Sequence, residues 1–335
     1  MEEKIKIYIT KETMNILLKD MELFEFYKKD GTLNKNDFIN TLIVNYYERY
    51  HQSNQQLYDQ IKNTLCAKSH CEDYEINDVA YDILQLVEVK ANRLESAKYD
   101  TLLSLKPTKK SSSVINYIQQ CLLQGSTMSN YFRNMFTSYS LLPQDKREQI
   151  IFKEVYEQLK EAIALKRKTY FTTTNNATKH IISPYALSNS KEELFNYLLA
   201  EYDDKAYSFR ISRITKVVIL NEESKISNDV KRILDKMMVY GPQFAITQEQ
   251  EICVELTERG MQMFKRVYLH RPKPVRIEGN RYYFECSTNQ IFQYFFRYGK
   301  HAYVVSPRGM QDEMERNYHM ALRMYQRRKH SKEVQ

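Results

Sequence analysis

Basic and aromatic side chains alternate with isoleucines at the start of the chain. Residues 4–9 read Lys-Ile-Lys-Ile-Tyr-Ile, and strict alternation predicts a half-buried strand with the isoleucines on one face. Lys4, Lys6 and Tyr8 then share the other face. Lysines bind phosphates and a tyrosine ring stacks on bases, so this face is a candidate surface for nucleic acid. A solvated strand face is the alternative interpretation.

A single strand leaves both of its edges unpaired, so this one needs a partner strand. Residues 101–106, Thr-Leu-Leu-Ser-Leu-Lys, are a candidate within the same chain. Pairing would bring Ser104 and Lys106 beside the first polar face, with Leu102 as an apolar companion that weakens base reading. Two antiparallel strands fit the major groove of a duplex. The alternative is pairing between two chains, with residues 101–142 forming an ordinary helical bundle.

Helical patterns follow the first strand. One helix is predicted from an N-cap at Thr10 to about Lys29, where Gly31 ends it, and a second from 37 to about 50. Lys35, near the start of the second helix, is placed to hold a phosphate. Strand, helix, glycine turn and helix in about fifty residues resembles a ribbon-helix-helix DNA-binding unit.

The same order recurs after the second candidate strand, with helices predicted at about 111–123 and 128–141 on either side of Gly125. When Gly31 is aligned with Gly125, the pairs are Thr32 with Ser126, Asn36 with Asn130, Phe38 with Phe132 and Asn40 with Asn134. Residues 53–100 between the copies predict a helical connector. Its apolar face holds Val79, Ile83, Leu86 and Val87.

Strand patterns replace helical patterns from residue 168. A helix predicted over 143–165 precedes strands at 168–173, 179–183, 194–201 and 206–220. Pro184 ends the second of these strands, and Asp203-Asp204 separates the last two. The pattern predicts a small, mostly antiparallel sheet of about 55 residues.

Three segments of this sheet carry a family resemblance. Residues 182–187 read Ile-Ser-Pro-Tyr-Ala-Leu, Tyr197-Leu198 follows Asn196, and residues 209–214 read Phe-Arg-Ile-Ser-Arg-Ile. In this order they resemble the WYL domain, a small Sm-like β-barrel of bacterial regulators. Asn196 replaces the Trp of the family and Ser212 replaces an Asp. Residues 251–326 resemble the C-terminal extension that often helps these proteins dimerise.

The WYL resemblance implies a ligand site of polar and basic side chains, with nucleic acid as the suggested ligand class. The matching positions are Tyr185, Tyr197, Arg210 and Arg213. Tyr170 and His180 lie near the same strands by pattern alone. Two arginines three residues apart on one strand point to opposite faces unless a bend intervenes, so Arg213 is favoured over Arg210. A structural ion pair is the alternative for either arginine.

Composition argues against several functional classes. The 335 residues carry a net charge of +8, which permits an anionic partner without requiring one. Because no phosphate-binding glycine motif, nucleophile elbow or HExxH is present, the chain is predicted not to be an enzyme. Cys66, His70 and Cys71 lack a second ligand pair with zinc spacing, so no metal or other cofactor is expected.

The predicted compartment follows from the cysteines and from the lack of targeting segments. Five cysteines without framework spacing fit a reducing cytoplasm. The acidic start of the chain is not a signal peptide, and no apolar run approaches the roughly 20 residues of a membrane span. A cytoplasmic protein without a membrane partner is therefore expected.

Together these patterns predict an α+β protein. The predicted parts are a ribbon-helix-helix over 1–50, a helical connector over 51–100, a second ribbon-helix-helix half over 101–142, a helix plus WYL barrel over 143–222, and a dimerising α/β extension over 223–335. The combination resembles the WYL accessory proteins of type VI-D CRISPR RNA-guided ribonucleases. That resemblance implies a homodimer that binds single-stranded RNA and stimulates the ribonuclease. The alternative is a dimeric DNA-binding transcriptional regulator whose WYL domain senses a ligand.

Overall fold

The computed structural model describes residues 4–68, 73–92, 98–123, 126–174, 176–190, 194–242, 251–267 and 271–333. The chain divides into two compact units, Met1–Glu154 and Val155–Gln335. Over the described residues the first unit holds a two-stranded sheet among helices, and the second holds sheets of five and four strands. The α+β class predicted from the sequence is therefore confirmed.

Helices make up most of the first unit. Its elements are β1 (Ile5–Ile9), α1 (Lys11–Leu23), α2 (Lys35–Lys68), α3 (Asp73–Asn92), β2 (Thr101–Leu105), α4 (Lys109–Tyr117, continued by a π-helical turn over Ile118–Leu122), α5 (Met128–Ser140) and α6 (Gln144–Ile151). The strands β1 and β2 pair antiparallel, with Ile5 opposite Leu105 and Ile9 opposite Thr101. The two-stranded ribbon thus forms within one chain and needs no second copy.

The two halves of this ribbon lead into their helices in the same way. Thr10 caps α1 and Thr108 caps α4, and each hydroxyl accepts a hydrogen bond from the N–H three residues later, at 3.1 and 3.3 Å. Phe38 of α2 and Phe132 of α5, which the alignment pairs, are both fully buried. Gly125, on which that alignment was centred, lies outside the described residues.

The predicted end of the first helix is wrong. The helix α1 ends at Leu23 rather than near Lys29. Glu25 adopts a left-handed backbone conformation (φ 62°), which a continuing helix does not allow. Beyond it, Phe26 packs edge-to-face on Phe38 at 5.1 Å between ring centroids. Tertiary packing of this phenylalanine, which helical periodicity does not detect, ends the helix early.

The connector between the halves also differs from the prediction. The helix α2 runs on to Lys68 instead of ending near residue 50, so it forms much of the connector. Among the described side chains of α3, Ile76, Ala80 and Leu84 are buried, whereas Val79, Leu86 and Val87 are exposed. The predicted apolar face of α3 is therefore wrong, because three of its four residues are exposed.

The helix predicted over 143–165 is two helices, α6 and α7 (Lys153–Ala164), interrupted at Phe152. The second unit then continues with β3 (Arg167–Thr173), β4 (Asn176–Asn189), β5 (Asn196–Tyr202), β6 (Lys205–Arg210), β7 (Ile214–Glu223), α8 (Asn228–Tyr240), β8 (Ile252–Leu256), α9 (Glu258–Arg266), β9 (Arg276–Glu278), β10 (Arg281–Phe284), α10 (Thr288–Phe295), β11 (Ala302–Ser306) and α11 (Arg308–Glu333). Most predicted strands are present, and the helices α8 and α9 were not predicted.

The central sheet is antiparallel in the order β6-β5-β4-β3-β7. Pro184 does not end β4, because the strand pairing shifts register between Pro184 and Ala186, and such a bulge accommodates a proline. Residues 206–220 are not one strand, since a 3₁₀ turn over Ile211–Arg213 separates β6 from β7. The predicted turn at Asp203-Asp204 is confirmed, with positive φ at both residues.

This five-stranded sheet is strongly curled. The rings of Phe171 on β3 and Phe209 on β6 lie 4.9 Å apart, although two strands separate β3 from β6. In a flat sheet the same strands would be about 14 Å apart. The edge strands β6 and β7 do not pair with each other in the described part of the chain. The closed barrel that the WYL resemblance implies is therefore not seen, and the sheet is open and curved.

The C-terminal sheet has the order β11-β8-β10-β9. The strands β9 and β10 form a hairpin, with Gly279 in the left-handed region (φ 60°) at its turn. Side chains from both sheet and helices, including Phe284, Tyr294 and Phe295, form the core of this region. No helix of the described residues is long and apolar enough to cross a membrane.

Candidate nucleic-acid interface

The two-stranded ribbon buries one face and exposes the other. Ile7, Ile9, Leu103 and Leu105 alternate inward and are almost completely buried. The side chains between them point away from the helices, as the period of a strand requires. The exposed set, called the ribbon face below, comprises Lys4, Lys6, Tyr8, Leu102, Ser104 and Lys106. The structure thus collects five of the six side chains predicted to bind nucleic acid on one surface.

Cross-strand pairing fixes the order of groups on the ribbon face. Lys6 lies opposite Ser104, and Tyr8 lies opposite Leu102. Tyr8 is 45% exposed and Leu102 is 47% exposed, so this apolar pair is open to solvent. An aromatic ring beside a leucine can take the flat face of an unpaired base, and lysines on either strand can bind the phosphates next to it.

The end of β2 is held by side chains at the start of α2. Asn36 Oδ1 accepts a hydrogen bond from the Lys106 N–H at 2.8 Å, and Asn40 Nδ2 donates to the Lys106 carbonyl at 3.1 Å. The buried Asn40 also accepts from the Thr108 N–H and from the Ser111 hydroxyl. Lys106 therefore leaves the ribbon at a fixed angle, with its side chain exposed.

Lys35, the sixth predicted residue, is the exposed first residue of α2, directly before Asn36. Because Asn36 bonds the Lys106 backbone, the start of α2 lies beside the end of the ribbon. A helix N-terminus carries partial positive charge and free N–H groups, which favour a phosphate at this position.

Sequence reasoning missed Arg133 and Tyr99. The Arg133 Nε donates to the Tyr8 carbonyl at 2.7 Å, and its guanidinium lies 4.3 Å from the centroid of the Tyr99 ring. Tyr99 lies two residues before β2 and is exposed. The pair extends the ribbon face with a second aromatic ring and a fixed cation. Neither residue has a periodic signal, because the contact joins positions 125 residues apart.

A buried ion pair fixes the helices beneath the ribbon. Asp20 of α1 accepts hydrogen bonds from Arg147 of α6 at 2.7 and 3.0 Å and from the Tyr139 hydroxyl of α5 at 2.8 Å. Burial, and then the neighbouring Asp20 carboxylate, hold the pKa of Tyr139 well above its ordinary value. Burial opposes the charge of Arg147, yet its bonds to Asp20 prevail and raise the pKa of Arg147.

The six residues predicted for the WYL ligand site do not share one face of the curled sheet. His180 lies on the concave face, 5.6 Å from the Phe171 ring. Tyr197 and Arg210 are cross-strand partners. Successive side chains of a strand point to opposite faces, and Arg210 follows the concave-face residue Phe209, so this pair lies on the opposite face. Tyr170 is also on this opposite face, with the Lys179 ammonium 5.3 Å from its ring centroid.

Arg210 is engaged within the sheet. Its guanidinium lies 3.3 Å from the centroid of the Phe195 ring. Arg213 is exposed at the end of the 3₁₀ turn that separates β6 from β7. The two arginines were expected to point to opposite faces of one strand unless a bend intervened. The 3₁₀ turn is that bend, so the two arginines do not lie on one strand.

Tyr185 at the bulge of β4 reaches the helix α8. Its hydroxyl donates to Asp235 Oδ1 at 2.7 Å. This hydrogen bond, and to a smaller extent burial, raises the pKa of Tyr185. Tyr185 also packs against the apolar contact between the sheet and α8. The contacts around Tyr185 are those of a structural residue that joins a helix to the sheet.

The concave face of the sheet carries an aromatic cluster that the sequence reasoning did not identify as such. Its members are Phe171, His180, Tyr202, Tyr207 and Phe209, linked by ring-centroid distances of 4.9 to 6.1 Å. Phe171 is fully buried and Tyr207 is exposed at the rim. The cluster forms the apolar interior of the curled sheet. Of the predicted residues, only His180 belongs to it.

The chain shares its fold with a CRISPR Cas-related protein. The crystal structure of that protein matches 98% of this chain and 95% of its own, with a TM-score of 0.68 and 17% sequence identity. At this identity the likeness shows the fold alone. Proteasome accessory factor B/C of Arthrobacter aurescens aligns with 93% of this chain and 48% of its own, at 11% identity and a TM-score of 0.26 that is too low to support an argument. No protein-family model and no curated protein matches the sequence.

The remaining sequence candidates concern metal binding. His70 and Cys71 lie outside the described residues, and Cys66 is exposed near the end of α2. Among the described residues, no group of three or more His, Cys, Asp or Glu side chains is arranged to hold a metal ion.

Proposed function

We propose that this protein is a non-catalytic regulatory protein that binds single-stranded RNA through its ribbon face. The observation that carries the proposal is the composition of that face. Three lysines, Lys4, Lys6 and Lys106, share this face with an exposed Tyr8–Leu102 pair and lie along the ribbon to one side of it. Stacking of unpaired bases on an aromatic ring, with basic groups along the backbone, is the usual way of binding a single strand.

The Tyr8–Leu102 pair of the ribbon face favours a single strand over a duplex. A ribbon that reads the major groove needs side chains that form hydrogen bonds to base edges. Leu102 and Tyr8 form the cross-strand pair at one end of the ribbon face, and leucine offers no such bond. The Arg133–Tyr99 stack beside Tyr8 adds a further platform for an unstacked base.

We further propose that the protein acts as an accessory of a type VI CRISPR RNA-guided ribonuclease and stimulates it. Support comes from the fold shared with a CRISPR Cas-related protein along 98% of the chain. The order of a ribbon-helix-helix unit before a WYL-like sheet supports the same context. The proposed assembly is a homodimer whose contact lies outside the ribbon, since the ribbon is complete in one chain.

A salt titration of binding tests the ligand. Labelled single-stranded RNA and duplex DNA of matched length are titrated with the native protein, Lys4→Ala/Lys6→Ala, and Arg213→Ala. Exposed Lys231→Ala/Lys265→Ala serves as the control with the same change of charge. The ribbon variant is expected to lower the slope of log affinity against log salt by about 0.7 for each lost phosphate contact on RNA. Loss of RNA binding in Arg213→Ala alone would move the site to the sheet.

A dimeric DNA-binding regulator is the second candidate. One observation favours it: an exposed antiparallel ribbon has the width that the major groove admits. Tighter binding of duplex DNA than of RNA, lost in the ribbon variant and kept in the control, would establish this function instead. Addition of the protein to a purified type VI effector tests the accessory role, since an accessory raises the rate of RNA cleavage and a DNA regulator leaves it unchanged.

A further inference from the structure

A cavity of about 440 Å³ lies within the first unit, between α2, α3, α5 and the π-helical turn after α4. Its floor is formed by Tyr50, Leu84, Leu122 and Tyr131, all of them buried. The volume falls in the range of small-molecule sites. The cavity is separate from the ribbon face, and no predicted site residue lines it.

The walls of the cavity combine tyrosine rings with amides. They are formed by His51, Asn54, Gln55, Tyr58, Asn77, Asp78, Tyr81 and Asn134, with Leu123 and Ser126. Among these described residues there is no lysine or arginine, and the only carboxylate is Asp78. The lining therefore disfavours a phosphate and favours an uncharged ligand that is both planar and rich in hydrogen-bonding groups.

Tyr58 and Asn77 form the best-defined polar contact of the lining. The Tyr58 hydroxyl donates to Asn77 Oδ1 at 3.1 Å and joins α2 to α3 across the cavity. This bond orients the Asn77 amide, so that its Nδ2 remains the donor for a ligand. A fixed donor between aromatic rings suits the edge of a heteroaromatic ring.

We propose that this cavity binds a nucleobase, and adenine in preference to the other bases. Asparagine and glutamine amides pair with the N6 and N7 atoms of adenine through two hydrogen bonds. Asn77 Oδ1 has a second lone pair besides the one that accepts from Tyr58, so it can accept from N6 while Nδ2 donates to N7. Tyrosine rings also stack on bases, as they do in single-strand complexes. The cavity would bind adenosine whatever the ribbon face binds.

The cavity shares two helices with the ribbon face. On α5, Asn134 lines the cavity and the adjacent Arg133 bonds the Tyr8 carbonyl. On α2, Lys35 and Asn36 lie at the ribbon and Tyr58 lies at the cavity. A base in the cavity would therefore contact the helices that position the ribbon. The base has two sources, a free nucleoside or an unpaired base of the bound strand.

Calorimetric titration of the full chain with adenosine tests the proposal, with cytidine and AMP as comparators. Adenosine is expected to bind saturably and more tightly than cytidine, and Asn77→Ala should weaken it about tenfold, or about 1.4 kcal/mol. Tyr58→Phe is a milder variant that removes only the orienting bond, and exposed Asn189→Ala is the matched control. Thermal unfolding checks that each variant remains folded.

The remaining outcomes separate the alternatives. Absence of saturable binding at about 1 mM adenosine, or binding that neither variant weakens, would overturn the proposal. Tighter binding of AMP than of adenosine would also overturn it, because the lining offers the phosphate no cation. If adenosine displaces an oligoadenylate RNA, the cavity takes a base of the strand. If adenosine binds without displacing it, the ligand is a free nucleoside.

Discussion

The ribbon of the first unit and the curled sheet of the second unit present their polar side chains differently. The ribbon packs one face on helices, and its whole outer row, from Lys4 to Lys106, shares one solvent-exposed surface. The sheet has a concave aromatic interior on one side and α8 on the other, so residues close in sequence separate between the two. A two-stranded element with one covered face places all its exposed side chains on one surface. A sheet with contacts on both faces distributes its side chains over two separate surfaces.

The greatest expected effect concerns the buried ion pair that supports the ribbon. Arg147→Met leaves the Asp20 carboxylate buried without its cation, which is expected to lower the free energy of unfolding of the first unit by about 3–5 kcal/mol. Urea unfolding followed by hydrogen exchange in each unit measures this. Exchange should increase in residues 4–154 and change little in the sheet of the second unit.

The double variant Asp20→Leu/Arg147→Met is the matched control. Replacing both charges by apolar side chains removes the uncompensated carboxylate, so much of the lost stability should return. A single variant within about 1 kcal/mol of the native protein would show that the ion pair does not hold the ribbon unit together.

The substitution Tyr139→Phe should change how the stability of the first unit falls at alkaline pH. Because the pKa of Tyr139 is raised in the folded state, its contribution to stability is complete below the unfolded value near 10 and is lost as pH rises beyond it. Tyr139→Phe removes a hydrogen bond to a charged group and should cost about 1.5–3 kcal/mol at neutral pH. Urea unfolding between pH 7 and about 11 should then show a flatter alkaline decline.

Two further tyrosines act as references for this measurement. Burial also raises the pKa of Tyr294, so the second unit should have an alkaline decline of its own. Because Tyr139→Phe leaves Tyr294 in place, that decline should be unchanged. Tyr117→Phe, at an exposed position, controls for the loss of a hydroxyl alone. An unchanged alkaline decline in the first unit would mean that Tyr139 does not couple to folding.

The two regions also differ in how far their structure follows from the sequence. Alternation in residues 4–9 predicted the buried isoleucines of the ribbon, because strand periodicity is local. The same reasoning took Pro184 as a strand end and 206–220 as one strand. A bulge and a 3₁₀ turn, set by the curl of the sheet, changed both.

In the candidate site, too, local patterns could be predicted from the sequence and contacts between distant residues could not. The ribbon face could be predicted residue by residue, whereas Arg133 and Tyr99 join it through a contact between distant positions. The cavity lined by Tyr58 and Asn77 depends on how three helices pack, and no spacing in the sequence specifies that packing. Nonlocal contacts therefore account for what the sequence patterns did not contain.

Tyr8→Ala tests whether the ribbon face binds the bases. Removing the exposed ring is expected to weaken single-stranded RNA binding by about 1–3 kcal/mol, since that is the usual loss of one stacking partner. Tyr8→Phe should keep most of the affinity because the ring remains. Fluorescence anisotropy at fixed salt measures both variants. Tyr207→Ala, which removes the exposed rim of the concave cluster, is the comparison in the second unit.

The smallest expected effect belongs to Tyr185→Phe in the sheet. The hydroxyl of Tyr185 already donates to the Asp235 carboxylate, so it is not free to donate to a ligand. The hydrogen bond between Tyr185 and Asp235 lies near the surface. Its loss should change the free energy of unfolding by no more than about 1 kcal/mol and leave RNA binding unaltered. Thermal unfolding and the same anisotropy assay measure the two quantities. A tenfold weaker complex with RNA would place the ligand on the α8 side of the sheet. Both regions would then bind a ligand, and they would differ only in which ligand each binds.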